Sequence, residues 1–419
     1  MARNENDRLL TRDVCLVMAA TFCFMASNML LNPLMTGYAE ELGAGGALMG
    51  VVAGMMNVVA LFCRPIAGNL SDKVSKRMLV GVGSALYLLS NIWYMLAGSP
   101  GSLIAARMLN GIGFACCSVC LATWMSMLLP IRHMGAGMGL YGTMNALAMA
   151  VGPAVGIRAQ QVVGYRNTFA ISMVLAVLMV VSTLMVRNGG HPIPLRQADH
   201  TKQLGRSVSS SSPQPQRQAE GRISLLRRLV EPRVVPLSMV FMMFTIPYFA
   251  NQAFLVVIVQ TRHLAVDASL FFPLYAVVLL VLRIVLRDLF DRKSFGFFLV
   301  GCSVCMIGML ATLTMMSNDW MLLAAGFFTA GSYGIMSSVT QSQAVIIAGK
   351  ARSGIANSTY YMGIDLGMAL GPMIGGFLYG HVDAMLYPLF MVTMPLAWLV
   401  YLCFARHIHA RSESAISEG

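Results

Sequence analysis

The chain has 419 residues, 57% of them hydrophobic and 11% charged, with a mean hydropathy of +0.69. An ordinary soluble domain is about 25% charged, so this composition excludes a soluble protein of this size. The formal charge of +12 would suit a nucleic-acid binder, but the cations sit in the short breaks between apolar runs, which is the topology signal of a membrane protein.

A helix that crosses a bilayer needs about 20 mostly apolar residues. The chain offers twelve such runs in order: 14–36, 46–68, 78–97, 102–126, 135–157, 167–187, 234–259, 268–286, 295–316, 320–346, 354–378 and 384–405. The opening MARNENDRLLTRD mixes acids and bases, and the run after it is too long for a signal peptide, so the first helix is expected to stay as an uncleaved anchor. Breaks such as GSPG at 98–101 force antiparallel neighbours. Alternate breaks carry Lys73, Lys76, Arg77, Arg132, Arg292, Lys293, Lys350 and Arg352, and the others carry mainly Glu40, Glu41, Asp319 and Asp383. The positive-inside rule then puts both termini in the cytoplasm. The polar, Ser-rich stretch RSVSSSSPQPQRQAEG cannot bury a core. The expected organisation is an N-terminal six-helix half at 1–187, a cytoplasmic linker at 188–233, and a C-terminal six-helix half with a cytoplasmic tail at 234–419. Within the linker end, ISLLRRLV reads as a short amphipathic helix on the inner membrane face.

The two halves match at a fixed offset of 219 residues. Arg64 maps to Arg283, Asp72 to Asp291, Asn32 to Asn251, Tyr141 to Tyr360, Gly152-Pro153 to Gly371-Pro372, and Gly156 to Gly375. The fold class expected is therefore an all-α membrane protein with twelve transmembrane helices in two pseudo-symmetric halves. Substrate sites in such folds lie between the repeats near the bilayer midplane. The cysteines follow no disulfide or metal spacing, and Cys116, Cys117, Cys120, Cys302 and Cys305 read as small buried residues. Trp93, Tyr94 and Trp320 lie at segment ends and read as an interfacial belt. The histidines lack helical ligand spacing. No metal site, cofactor, nucleotide-binding loop or enzymatic centre is expected.

Three motifs carry a resemblance. GNLSDKVSKR follows the second segment, with Gly68, Leu70, Asp72, Lys73, Lys76 and Arg77, and a degenerate copy with Asp291 follows the eighth. RMLNGIGFA in the fourth segment holds Arg107, Asn110, Gly111 and Gly113. AMAVGPAVG in the fifth holds Gly152, Pro153 and Gly156, and GIDLGMALGPMIGG in the eleventh holds Gly363, Gly367, Gly371, Pro372 and Gly375. With these motifs the chain resembles the major facilitator superfamily, and within it the twelve-helix drug:proton antiporter branch. The resemblance implies the major facilitator fold, alternating access, a role for Arg107 in proton coupling, and a link of the Gly-Pro motifs to antiport. Ser75 departs from the glycine usual in the first motif, and Ala148 from an upstream glycine of the antiporter motif. The physical reading of the first motif is a gating clamp built from Arg64, Gly68, Asp72, Lys76 and Arg77, repeated by Arg283 and Asp291, in which Asp72 pairs with cations and helix N-termini. The glycines recurring every four residues form a smooth ridge for close helix packing.

Asp365 is the one acidic residue deep inside a segment. It lies two residues from Gly367, a rotation of about 200°, and so points away from the glycine ridge. Its repeat mate is Ala146. A carboxylate should face a cavity or a partner, not lipid, and Asp365 is the expected proton carrier. The expected substrate cavity draws on Asn28, Asn32, Tyr141, Asn145, Asn251, Gln252 and Tyr361, with Asn57 nearby. The 35 methionines suit adaptable apolar surfaces. The function expected is proton-coupled efflux of small apolar or amphipathic molecules by a monomer in the cytoplasmic (inner) membrane, with protons, a small-molecule substrate and the bilayer as its partners and no nucleic acid. The alternatives are a transporter of a polar metabolite such as a sugar, peptide-like compound or metallophore, and a non-transporting membrane sensor.

Overall fold

A computed structural model describes residues 10–71, 74–129, 134–190, 230–286, 289, 293–348, 353–381 and 385–409. Among the described residues all regular structure is helical: α1 (Arg12–Leu31), α2 (Met35–Glu41), α3 (Gly46–Ser71), α4 (Lys76–Leu96), α5 (Pro100–Leu128), α6 (Met134–Leu184), α7 (Val235–Thr261), α8 (Phe271–Val285), α9 (Phe295–Thr314), α10 (Asp319–Thr329), α11 (Ile335–Ala348), α12 (Ser353–His381), α13 (Leu386–Phe390) and α14 (Thr393–His409). Several starts are set by side-chain caps, which satisfy backbone donors left over in the first turn. Ser99 accepts from the Ser102 amide ahead of Pro100, and Asn318 accepts from the Met321 amide. The amphipathic segment expected around 223–230 and most of the linker lie outside the described residues, as do Asp72 and Asp291.

Among the described residues, eleven helical stretches are long and apolar enough to cross a membrane. The count is one below the sequence expectation because the fifth and sixth segments run together as Leu140–Leu184, 45 residues. A straight helix of that length would extend about 68 Å, more than twice a hydrocarbon core of about 30 Å. It is broken at Gly164, whose φ of 77° only glycine adopts readily. Packing shows the reversal. Gly152 and Gly156 lie against the Ala26–Leu30 backbone of α1, while Ser172 Oγ is 2.7 Å from Ser27 Oγ on that same turn. Residues 152–156 and 172 meet α1 at one height, so the chain doubles back between them. The first segment is longer than 14–36, running through a 3-10 turn at Asn32–Leu34 into α2.

The two halves meet firmly at the end of the bundle remote from the termini. Thr36 Oγ1 donates to the Ala253 carbonyl, Arg158 Nη1 is 3.2 Å from Asp267 Oδ2, and Gly376 of α12 sits against Gly46 and Gly50 of α3. The glycine ridge of α12 packs on α7: Gly363 meets Ser238, Gly367 meets Thr245, Gly371 meets the Ile246 carbonyl and Gly375 meets the Phe254 ring. Helix α12 is thus wedged between α7 and α3, and the side it turns to α3 faces the N-terminal half.

Candidate substrate and proton site

The α3-facing side of α12 carries Asp365, which is 1% exposed. Its partner is Arg64 of α3. The Arg64 Nε is 2.6 Å from Asp365 Oδ2, and Nη2 donates to Oδ1 at 3.0 Å. The hydrogen bond runs through Nη2; the Nε contact is close but poorly aligned and acts through charge. The guanidinium carbon also lies 5.5 Å above the centre of the Phe114 ring, a cation–π contact. Tyr141 of α6 is within electrostatic reach of Arg64 and Tyr361, and Tyr361 of α12 is within reach of Arg64 and Asp365. This layer therefore joins α3, α5, α6 and α12 across the two halves. It is not sealed: Tyr361 is 44% exposed and the Arg64 side chain 22%, so open space reaches the pair.

About two helical turns along α3 from Arg64, toward the closed end, lies a small cavity with room for about one water. Asn32, Asn57, Gln252, Phe249, Met368 and Pro372 are among its walls. Asn57 Nδ2 donates to the Met368 carbonyl at 3.5 Å, but the side-chain oxygens of Asn32 and Asn57 are buried with no hydrogen-bond partner. Buried polar atoms are ordinarily satisfied, and two orphaned acceptors in one cavity mark a place for a donor group.

The expected site residues divide by position. Asn32, Gln252 and Asn57 share the cavity, while Tyr141, Tyr361, Arg64 and Asp365 share the ion-pair layer. Asn28 points its Nδ2 at Met56 Sδ, 3.7 Å away, and Asn145 Nδ2 donates to the Tyr141 carbonyl of its own helix at 3.1 Å. Asn251 departs from the expectation. It accepts from the Tyr387 hydroxyl at 3.1 Å and so ties α7 to α13, away from the cavity. Arg64 departs as well, since it pairs within the bundle instead of clamping the loop after α3. Among the clamp residues, Lys76 is buried with its Nζ on the Ser71 carbonyl, the Arg77 amide donates to the Gly189 carbonyl at 3.3 Å, and Gly68 has open space around it. Tyr94 is fully buried, not interfacial.

Arg107 is buried without a carboxylate among the described residues. Its Nε and Nη2 donate to the Val52 and Ala53 carbonyls of α3 at 3.0 and 2.7 Å. Gly111, one turn on, lets α5 approach the α3 backbone at Met56, and Asn110 Nδ2 donates to Ser90 Oγ of α4 at 2.8 Å. The fourth-segment motif is therefore a packing device that seats α5 against α3 and α4. A hydroxyl network of Ser27, Ser172, Asn91 and Tyr87 joining α1, α4 and α6 has no sequence signature beyond small polar residues inside apolar runs.

With the bundle, the inter-half ion pair and the cavity in place, the chain matches the Major Facilitator Superfamily over residues 17–316, and it belongs to that family. It is similar to the multidrug resistance protein 1 of Bacillus subtilis, at 21% identity over 90% of this chain and 91% of that protein. Shorter matches are to an MFS-type transporter of Methanocaldococcus jannaschii, 23% identical over 42% of this chain and 46% of that one, and to the staphylopine export protein of Staphylococcus aureus, 26% identical over 33% of this chain and 34% of that one. The match thus spans less than half the length of these two relatives. Among solved structures, a peptide transporter POT in complex with sulfate superposes with a TM-score of 0.72 at 14% identity, covering 94% of each chain. The nucleoside transporter NupG superposes with a TM-score of 0.69 at 12% identity, covering 95% of this chain and 100% of that one. The protein is a multi-pass membrane protein of the major facilitator fold.

Proposed function

We propose that this transporter is a proton-coupled exporter of small amphipathic molecules, working by alternating access as a monomer in the cytoplasmic membrane with both termini inside. The observation that carries the reading is the Arg64–Asp365 pair. It links the two halves, one partner is almost wholly buried, and the other borders open space. Ionised Asp365 is held by Arg64. A proton on Asp365 removes the charge that attracts Arg64, so proton binding and the join between the halves are coupled. In export, a proton would load Asp365 when the far side is open. It would leave to the cytoplasm in the arrangement seen here, as the carboxylate returns to Arg64. The similarity to a multidrug resistance protein over nine-tenths of the chain supports the export direction. A polar-solute reading has one observation in its favour, the orphaned oxygens of Asn32 and Asn57 in the cavity.

Proteoliposomes with an imposed pH gradient of either sign test the proposal. Substrate movement against proton flow, for amphipathic members of a compound panel, is the expected result. Co-movement of a polar solute with protons would establish the alternative, and silence across the panel would contradict both.

A further inference from the structure

The repeat that supplies Arg64 also supplies Arg283, and aromatic rings stand at two matching positions beside each arginine. Arg64 lies over Phe114 and near Tyr141. At the same offset of 219 residues, Arg283 has Tyr333 and Tyr360, and it is within electrostatic reach of both. The difference in charge is the acid. Asp365 answers Arg64 from α12, and its repeat mate on α6 is Ala146, which cannot answer Arg283.

Arg283 stands about 200° around α8 from Val281, a residue 51% exposed on the apolar outer face. It shares the face of buried Leu279, one turn earlier. It is nonetheless exposed, and among the described residues it makes no ion pair. A guanidinium on the inward side of a membrane helix requires a water-filled cavity or an anion. Beside it Tyr333 stacks on Tyr248 with centroids 3.9 Å apart and on Phe241 at 5.6 Å. Tyr333 is carried on a π-helical turn, Ala330–Gly334, an irregularity that accompanies functional positions.

We infer that Arg283 and the tyrosine stack beside it form an anion-receiving subsite, which takes a carboxylate on an aromatic or otherwise flat apolar body. The inference rests on the transport reading above and narrows its substrate class to amphipathic anions and zwitterions. The substrate carboxylate fills for Arg283 the place that Asp365 fills for Arg64, and the stacked rings, themselves buried, back the site from within the bundle.

The test uses matched probe pairs, naphthalene-2-acetate with its amide and indole-3-acetate with its amide, titrated on the purified full-length protein with thermal stabilisation as the readout. The wild type should bind each carboxylate about tenfold more tightly than its amide, as expected of a charge-assisted hydrogen bond. Arg283→Gln should lose that preference and Arg283→Lys should keep part of it, which separates charge from misfolding. Ala146→Asp should abolish the preference by giving Arg283 an internal counter-ion. Equal binding of acid and amide by the wild type, or a preference that survives in Arg283→Gln or Ala146→Asp, overturns the subsite. Failure of the proton reading shows separately. Asp365→Asn would then keep pH-driven flux, whatever the carboxylate preference of the Arg283 variants.

Discussion

Asp365 and Arg64 were unequally legible in the sequence. A lone carboxylate eleven residues inside an apolar run, opposite a glycine ridge, announces itself. Its partner does not, because Arg64 precedes a loop motif rich in cations and its depth depends on how far α3 extends beyond the apolar run. The structure carries α3 to Ser71, which lifts Arg64 two turns into the bundle. Removing one member of a buried ion pair strands the other and costs about 3–5 kcal/mol. Arg64→Gln should therefore lower stability by about 3 kcal/mol, toward the lower end because Arg64 borders open space. Adding Asp365→Asn should restore much of the loss. Thermal unfolding of the two single variants and the double variant checks this, and strictly additive losses would show that the pair is not coupled. Arg107 gives a second case. Its family resemblance points to proton coupling, while its contacts are backbone carbonyls of α3. Arg107→Ala should accordingly reduce folded yield and thermal stability more than it moves the pH profile of transport, which assays on matched amounts of folded protein can separate.

At the scale of elements, the apolar runs located the helices because a bilayer forces every backbone group to be satisfied within its own segment. Their ends were less legible. Proline at 33 does not stop the first segment, since the chain continues through a 3-10 turn. The break at Gly164 is marked by one glycine only. The π-helical turn of Ala330–Gly334 leaves no trace in the apolar pattern. The glycine ridge was readable as spacing, and the structure adds which helix it meets. A side chain at Gly371 would overlap the Ile246 carbonyl, whereas Gly68 has nothing within 4 Å. Gly371→Val should thus abolish transport or folding. Gly68→Ala should leave stability unchanged or raise it by about 0.5–1 kcal/mol, the helix penalty of glycine relative to alanine. Equal tolerance of both substitutions would show that α12 and α7 do not pack as described.

For the whole molecule, composition decided the membrane class, and the repeat offset pointed to two related halves. The conformation was not legible, because two arrangements of the same halves share one sequence and differ only in which end is closed. Here the closed end is the one remote from the termini, held by Thr36 with Ala253 and by Arg158 with Asp267. In the proposed orientation, with cation-rich breaks inside, that end faces outward. A cysteine reporter placed at Gly98 should then react with an impermeant reagent added to intact cells, and one at Ser210 in the linker should not; the opposite pattern would invert the topology. The central claim is that a proton on Asp365, released from Arg64, couples transport to the pH gradient. The direct measurement compares reconstituted wild type with Asp365→Asn in two assays, pH-driven transport and substrate exchange at equal pH. The variant should lose pH-driven transport while retaining exchange. Wild-type pH-driven transport by Asp365→Asn would contradict the claim.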